Sequence, residues 1–178
     1  MAQAAKLPIR LHHTAYVTQD QEKTRRFYEE VIGLPLLATW CESDDLFGKV
    51  RTYVHTFYGI GDGGALAFFQ FADPKDQEEF GPKRPASPFH HIALKVDPET
   101  QAGIQERITK AGIAPPDSYV LEHGYCRSLY VTDPNGLILE FTLDHPNVKK
   151  IGTDRLAGAH QDLKRWLAGD HTSNNTYR

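Results

Sequence analysis

The stretch Leu11-His12-His13-Thr14-Ala15-Tyr16-Val17 returns 78 residues later as Phe89-His90-His91-Ile92-Ala93-Leu94-Lys95-Val96. A repeat of this kind means one supersecondary unit used twice, and it limits the chain to folds built from two equivalent modules. Each copy reads as a strand, rich in β-branched and aromatic residues. After the first copy, Thr18 is placed to cap a helix over about Asp20 to Val31, with Phe27, Tyr28, Val31 and Ile32 at helical spacing. Gly33 stops that helix, and strands follow over Leu36–Cys41, Arg51–Tyr58 and Ala65–Phe71, with Asp44–Gly48 as loop. After the second copy come a helix from Pro98 to Lys110 and strands over Pro116–Glu122, Tyr125–Thr132 and Leu137–Leu143. Asp133-Pro134-Asn135-Gly136 is a strong turn between the last two.

The expected fold is therefore α+β: two paired βαβββ modules forming a curved mixed sheet around a cleft. One such sheet alone leaves an apolar face exposed, and a second buries it. The organisation reads as an N-terminal extension over 1–10, a first module over 11–72 and a linker over 73–88. A second module covers 89–145, and a C-terminal tail covers 146–178. Within the tail, Thr153–Ala168 is an amphipathic helix candidate through Leu156, Leu163, Trp166 and Leu167, offering a surface for packing or for contact between subunits.

With 178 residues, 40% of them hydrophobic, the chain can bury roughly 70% of its unfolded surface without a disulfide scaffold. The formal net charge of −3, with no long basic run, gives no reason to expect nucleic acid. Two cysteines, Cys41 and Cys126, form no CxxC pair; they fit a reducing compartment and read as ordinary thiols. No apolar run suits a signal peptide or a membrane helix, so the expected location is cytoplasmic.

The histidine doublets carry the chemistry. Strand side chains alternate, so only one member of each doublet can face inward, and His13 and His91 lie deeper in their strands than His12 and His90. On the last strand, Glu140 stands between Leu139 and Phe141, where a carboxylate is costly unless paired or bound to metal. Two imidazoles and one carboxylate suit Fe(II), with Mn(II), Co(II), Ni(II) or Zn(II) as alternatives. A single strand histidine is more often a half-exposed residue than a ligand; three such groups at related positions of a duplicated unit reverse that expectation.

The stretches LHHTAYV, RRFYEEVIGLPLL, FHHIALKV and SLYVTDPNGLILEFT resemble the vicinal-oxygen-chelate superfamily of glyoxalases, bleomycin and fosfomycin resistance proteins and type I extradiol dioxygenases. The resemblance covers about Leu11 to Asp144 and implies ligand positions at His13, His91 and Glu140. Ala67 stands where glyoxalases of this type carry a fourth ligand, a Glu, which points away from glyoxalase I chemistry. His123, followed by Leu129-Tyr130-Val131-Thr132-Asp133-Pro134-Asn135-Gly136 and Glu140, is similar to the extradiol ring-cleavage signature except at Leu121. That similarity implies that His123 and Tyr130 lie beside a bound catechol and donate hydrogen bonds to it. The active-site base histidine of two-domain extradiol enzymes is missing near Gly64, and His55, one strand earlier, is a candidate substitute.

The expected function is a ring-cleaving dioxygenase, with Fe(II) first among the metals, acting on a catechol-type diol in aromatic compound catabolism. The alternatives are an isomerase, epimerase or lyase using another divalent metal, and a non-catalytic small-molecule binding or resistance protein. The partners expected are a small-molecule substrate and a second copy of the chain, as a homodimer or higher homo-oligomer.

Overall fold

A computed structural model describes residues 8–82 and 89–177. By contacts the chain divides into two units, Met1–His90 with Asp133–Leu137, and His91–Thr132 with Ile138–Arg178. The expected extension over 1–10 lies mostly outside the described residues, as does the 83–88 part of the expected linker.

The first unit contains β1 (His13–Val17), α1 (Gln21–Arg25), a π-helical segment (Arg26–Ile32), β2 (Leu36–Leu46), β3 (Lys49–Gly59), β4 (Ala65–Phe71) and α2 (Pro74–Phe80). Its sheet runs β1-β4-β3-β2, with β1 parallel to β4 and the other pairs antiparallel. The cap of α1 is Asp20, not Thr18: its carboxylate accepts from the backbone N–H groups of Glu22 and Lys23, both at 3.0 Å. Thr18 is instead buried, with its hydroxyl 2.7 Å from that of Thr24 and donating to Asn135 Oδ1 at 2.9 Å. Gly33 ends the π segment at φ 91°, returning its N–H to the Tyr28 carbonyl at 2.9 Å.

The β2–β3 hairpin is longer than the sequence suggests. Asp44, Asp45 and Leu46 pair with Arg51, Val50 and Lys49, and the turn shrinks to Phe47-Gly48, both at positive φ. Such a two-residue turn matches the twist of the flanking strands. The expected linker also contains structure: Asp73 caps α2 by accepting from Lys75 N at 2.8 Å, and Pro74 opens it. Within α2, Asp76 is buried and ion-paired to Arg51, itself buried rather than on the surface, and to Lys49 at 2.8 Å.

One face of this sheet carries the core. Tyr58, Leu66 and Phe68 pack with Phe27, Tyr28 and Ile32, the Tyr28 and Phe68 rings lying 4.8 Å apart. Period-two alternation sends His13, Tyr53, His55, Phe57, Phe69 and Phe71 to the other face, where the three phenylalanines are half-buried rather than core.

The second unit repeats the plan with β5 (His91–Lys95), α3 (Pro98–Lys110), β6 (Ser118–Glu122), β7 (Cys126–Thr132) and β8 (Ile138–Asp144). Its sheet runs β5-β8-β7-β6, again with only the first pair parallel. Asp97 caps α3 through Thr100 N at 2.7 Å, and Ile104 and Ile108 are buried. Buried Gln101 donates to the Phe141 carbonyl at 2.7 Å, so a core-facing amide is satisfied by the strand it covers. The tail forms α4 (Val148–Leu167), which starts five residues before the expected helix and buries Ile151 while leaving Leu156, Leu163, Trp166 and Leu167 exposed. Among the described residues, no helix is long and apolar enough to cross a membrane. Cys126 is buried, but Cys41 is exposed.

Candidate metal centre

In the second unit, His91 opens β5 and Glu140 lies in the middle of β8. The parallel register pairs Ala93 with Glu140, so His91 and Glu140 point to the same face from adjacent strands. Their side chains meet: His91 Nε2 is 2.8 Å from Glu140 Oε2. The carboxylate is 7% exposed, and no Lys or Arg among the described residues stands within ion-pairing distance of it. A buried carboxylate without a permanent cation, converging with an imidazole nitrogen, is the donor chemistry that a divalent ion satisfies.

Tyr130, on β7, sits directly opposite Glu140 on β8. It is buried, and its hydroxyl shares a 3.1 Å hydrogen bond with His123 Nε2. Burial raises the Tyr130 pKa well above that of an ordinary phenol, and the adjacent Glu140 carboxylate raises it further, so the phenol keeps its proton. His123 also packs against Tyr125, with ring centroids 5.8 Å apart, and its carbonyl accepts from Asn175 Nδ2 at 3.1 Å. All four groups singled out from the second repeat are thus joined by direct contacts.

His13 belongs to the first unit, at the start of β1. Its Nδ1 lies 2.8 Å from His12 Nδ1, which leaves Nε2 as the nitrogen for a ligand. Its ring meets Phe57 edge-on at 5.6 Å and His55 at 6.3 Å. His55 is sandwiched on Phe69 at 3.6 Å, and its Nε2 is buried without a hydrogen-bond partner. Desolvation, then the neighbouring His13, lowers the His55 pKa below that of an ordinary imidazole. The register sets Ala15 beside Ala67 as it sets Ala93 beside Glu140, so Ala67 occupies the position equivalent to Glu140.

The structure brings together His91, Glu140, Tyr130 and His123. Among the described residues, it gathers no group of three or more His, Cys, Asp or Glu side chains that could hold a metal ion. The Asn175 contact to His123 carried no signal in the sequence, because it joins a polar tail to a loop 52 residues away.

The profile of the Glyoxalase/Bleomycin resistance protein/Dioxygenase superfamily matches residues 10–141. A lactoylglutathione lyase of Neisseria meningitidis (serogroup A, serotype 4A) is 28% identical over 150 residues, covering 84% of this chain and 97% of the lyase. MhqA of Bacillus subtilis (strain 168), whose name provisionally makes it a ring-cleaving dioxygenase, is 30% identical over 87 residues. That match covers 48% of this chain, which spans only about a quarter (26%) of MhqA. Among solved structures, the fosfomycin resistance protein FosX of Listeria monocytogenes aligns with TM-score 0.57 and 18% identity, covering 80% of this chain and 98% of FosX. A FosX structure with Mn(II) and sulfate aligns with TM-score 0.54 and 17% identity. At these identities the solved structures bear on the fold alone.

Proposed function

Because the chain belongs to the Glyoxalase/Bleomycin resistance protein/Dioxygenase superfamily, we propose that it is a divalent-metal enzyme that opens the ring of a catechol-type aromatic diol. The observation that carries this reading is one sheet face holding His91 against Glu140 and, beside them, a hydroxyl–imidazole pair, Tyr130 and His123. His91 and Glu140 would supply two ligands, and His13 is the proposed third. A divalent ion held by these residues would supply Lewis-acid polarisation of substrate oxygens, and Fe(II) would add redox chemistry with dioxygen.

The chain's own groups would manage protons. Tyr130 Oη holds a proton that it can donate to a substrate oxygen as charge develops there. His123 Nε2, at 3.1 Å, can resupply that proton or accept one from the diol. Burial of Glu140 and Tyr130 limits the access of water to the carboxylate and the phenol. Alanine at position 67, with no carboxylate to add, favours this reading over one that needs a fourth protein ligand. A second reading, an isomerase, epimerase or lyase using Mn(II), Zn(II), Ni(II) or Co(II), is supported by the near full-length match to lactoylglutathione lyase. A cytoplasmic homodimer or higher homo-oligomer completes the proposal.

The test is elemental analysis of anaerobically purified protein, followed by oxygen uptake with a panel of catechols. Iron near one per chain, oxygen consumption and a ring-opened product support ring cleavage. Zinc, nickel or manganese with no oxygen uptake moves the assignment to the second reading.

A further inference from the structure

The second unit has a half-open cavity of about 350 Å³ between α4, the segment that follows it and Tyr125. This volume falls at the lower end of the roughly 300–1,000 Å³ usual for small-molecule pockets. Val148, Ile151, Tyr125 and Tyr177 give it apolar walls, and Arg155 is the only charged residue among its described lining groups. Arg155 is half-buried and makes no ion pair with any described carboxylate. Its neighbour Asp154 is taken by Lys150 at 2.6 Å. The Arg155 guanidinium instead lies 5.3 Å from the Tyr177 ring centroid and donates to the Thr176 hydroxyl at 3.4 Å.

A half-buried guanidinium that lies against apolar walls and forms no ion pair with a described carboxylate has donors to offer an anion entering the cavity. One cation in apolar surroundings suits a monoanion with an apolar body, not a phosphate. We propose that this cavity binds a small single-ring carboxylic acid, with its carboxylate on Arg155 and its ring against Val148, Ile151 and the two tyrosines. Two walls also reach His123: Tyr125 packs on its ring, and Asn175 holds its carbonyl. An occupant therefore presses on the loop that keeps His123 against Tyr130. The inference stands apart from the metal reading, because none of the cavity's lining residues is a proposed ligand.

The experiment titrates the full chain with phenylacetate and, separately, with its neutral isostere phenylacetamide, followed by ¹H–¹⁵N NMR with arginine side-chain and histidine ring signals resolved. Phenylacetate should bind saturably and at least about tenfold more tightly than the amide, the factor expected for one charge-assisted contact. The shifts should centre on Arg155 and extend to the His123 ring. Arg155→Met should reduce acid binding to the level of the amide. Equal binding of acid and amide by the unaltered protein, no saturation, or acid binding unchanged in Arg155→Met would each overturn the proposal. The wild-type comparison of acid with amide decides even if the variant folds poorly.

Discussion

Leu139 and Phe141 fill the helix-covered face of β8, and alternation turns the buried Glu140 carboxylate to the other face, toward His91. Glu140→Gln keeps the shape and removes the charge. Metal affinity should then fall by more than the roughly 10–100-fold lost when an outer partner of a ligand is removed. Calorimetric titration with Mn(II) or Zn(II) reads the loss, and a circular dichroism spectrum matching the parent excludes unfolding. Tyr130→Phe should leave metal content unchanged and slow turnover by roughly a hundredfold, as expected for a lost proton donor. Turnover equal to the parent's would remove Tyr130 from the chemistry. At this scale, His13, His91 and Glu140 stood out because two doublets begin matching strands and a carboxylate interrupts an apolar run. His55 was harder to read: its significance lies in a buried, unpartnered Nε2 beside His13, which only the packing of β3 on β4 reveals.

The Asp-Pro-Asn-Gly turn does more than join β7 to β8. The Asp133 carboxylate accepts from the N–H groups of Asn135 and Leu137, each at 2.8 Å, and from the Tyr28 hydroxyl at 3.1 Å. Asp133→Ala leaves buried donors without an acceptor, at a cost of about 2–3 kcal/mol. Urea unfolding should show a lower midpoint with an unchanged slope. Strands and α3 were legible because their periodicity and bounding Asp, Pro and Gly residues agree. The full β2–β3 hairpin was not, because its tip is Phe47-Gly48 rather than Asn-Gly, and Asp44 and Asp45 pair in strands that usually avoid them. The cap of α1 was misplaced because Thr18 and Asp20 both have capping side chains, and burial of Thr18 against Thr24 decides between them.

For the molecule as a whole, the duplicated pattern was enough to infer two like modules, while the limits of the contact units depend on a turn far along the chain. Global stability should carry an alkaline signature. Tyr28 is fully buried, and burial, then the Asp133 charge, raises its pKa well above 10. The folded state thus keeps a proton that the unfolded chain releases above about pH 10, so this contribution is complete below that pH and is lost as pH rises. Tyr58, raised mainly by burial, acts in the same direction. Melting temperature should fall above pH 10, and less steeply in Tyr28→Phe; parallel falls in the two proteins would assign the effect elsewhere.

The placement of Asp133–Leu137 has a topological consequence. The polypeptide enters the second unit at His91, returns to the first for these five residues, and goes back at Ile138, so three junctions separate the units along the chain. No single cut yields two whole halves. A break after His90 would take from the first piece the carboxylate that receives the Tyr28 hydroxyl and the amide that receives that of Thr18. Two copies in sequence are, in this chain, sewn together by a stitch that neither copy can give up.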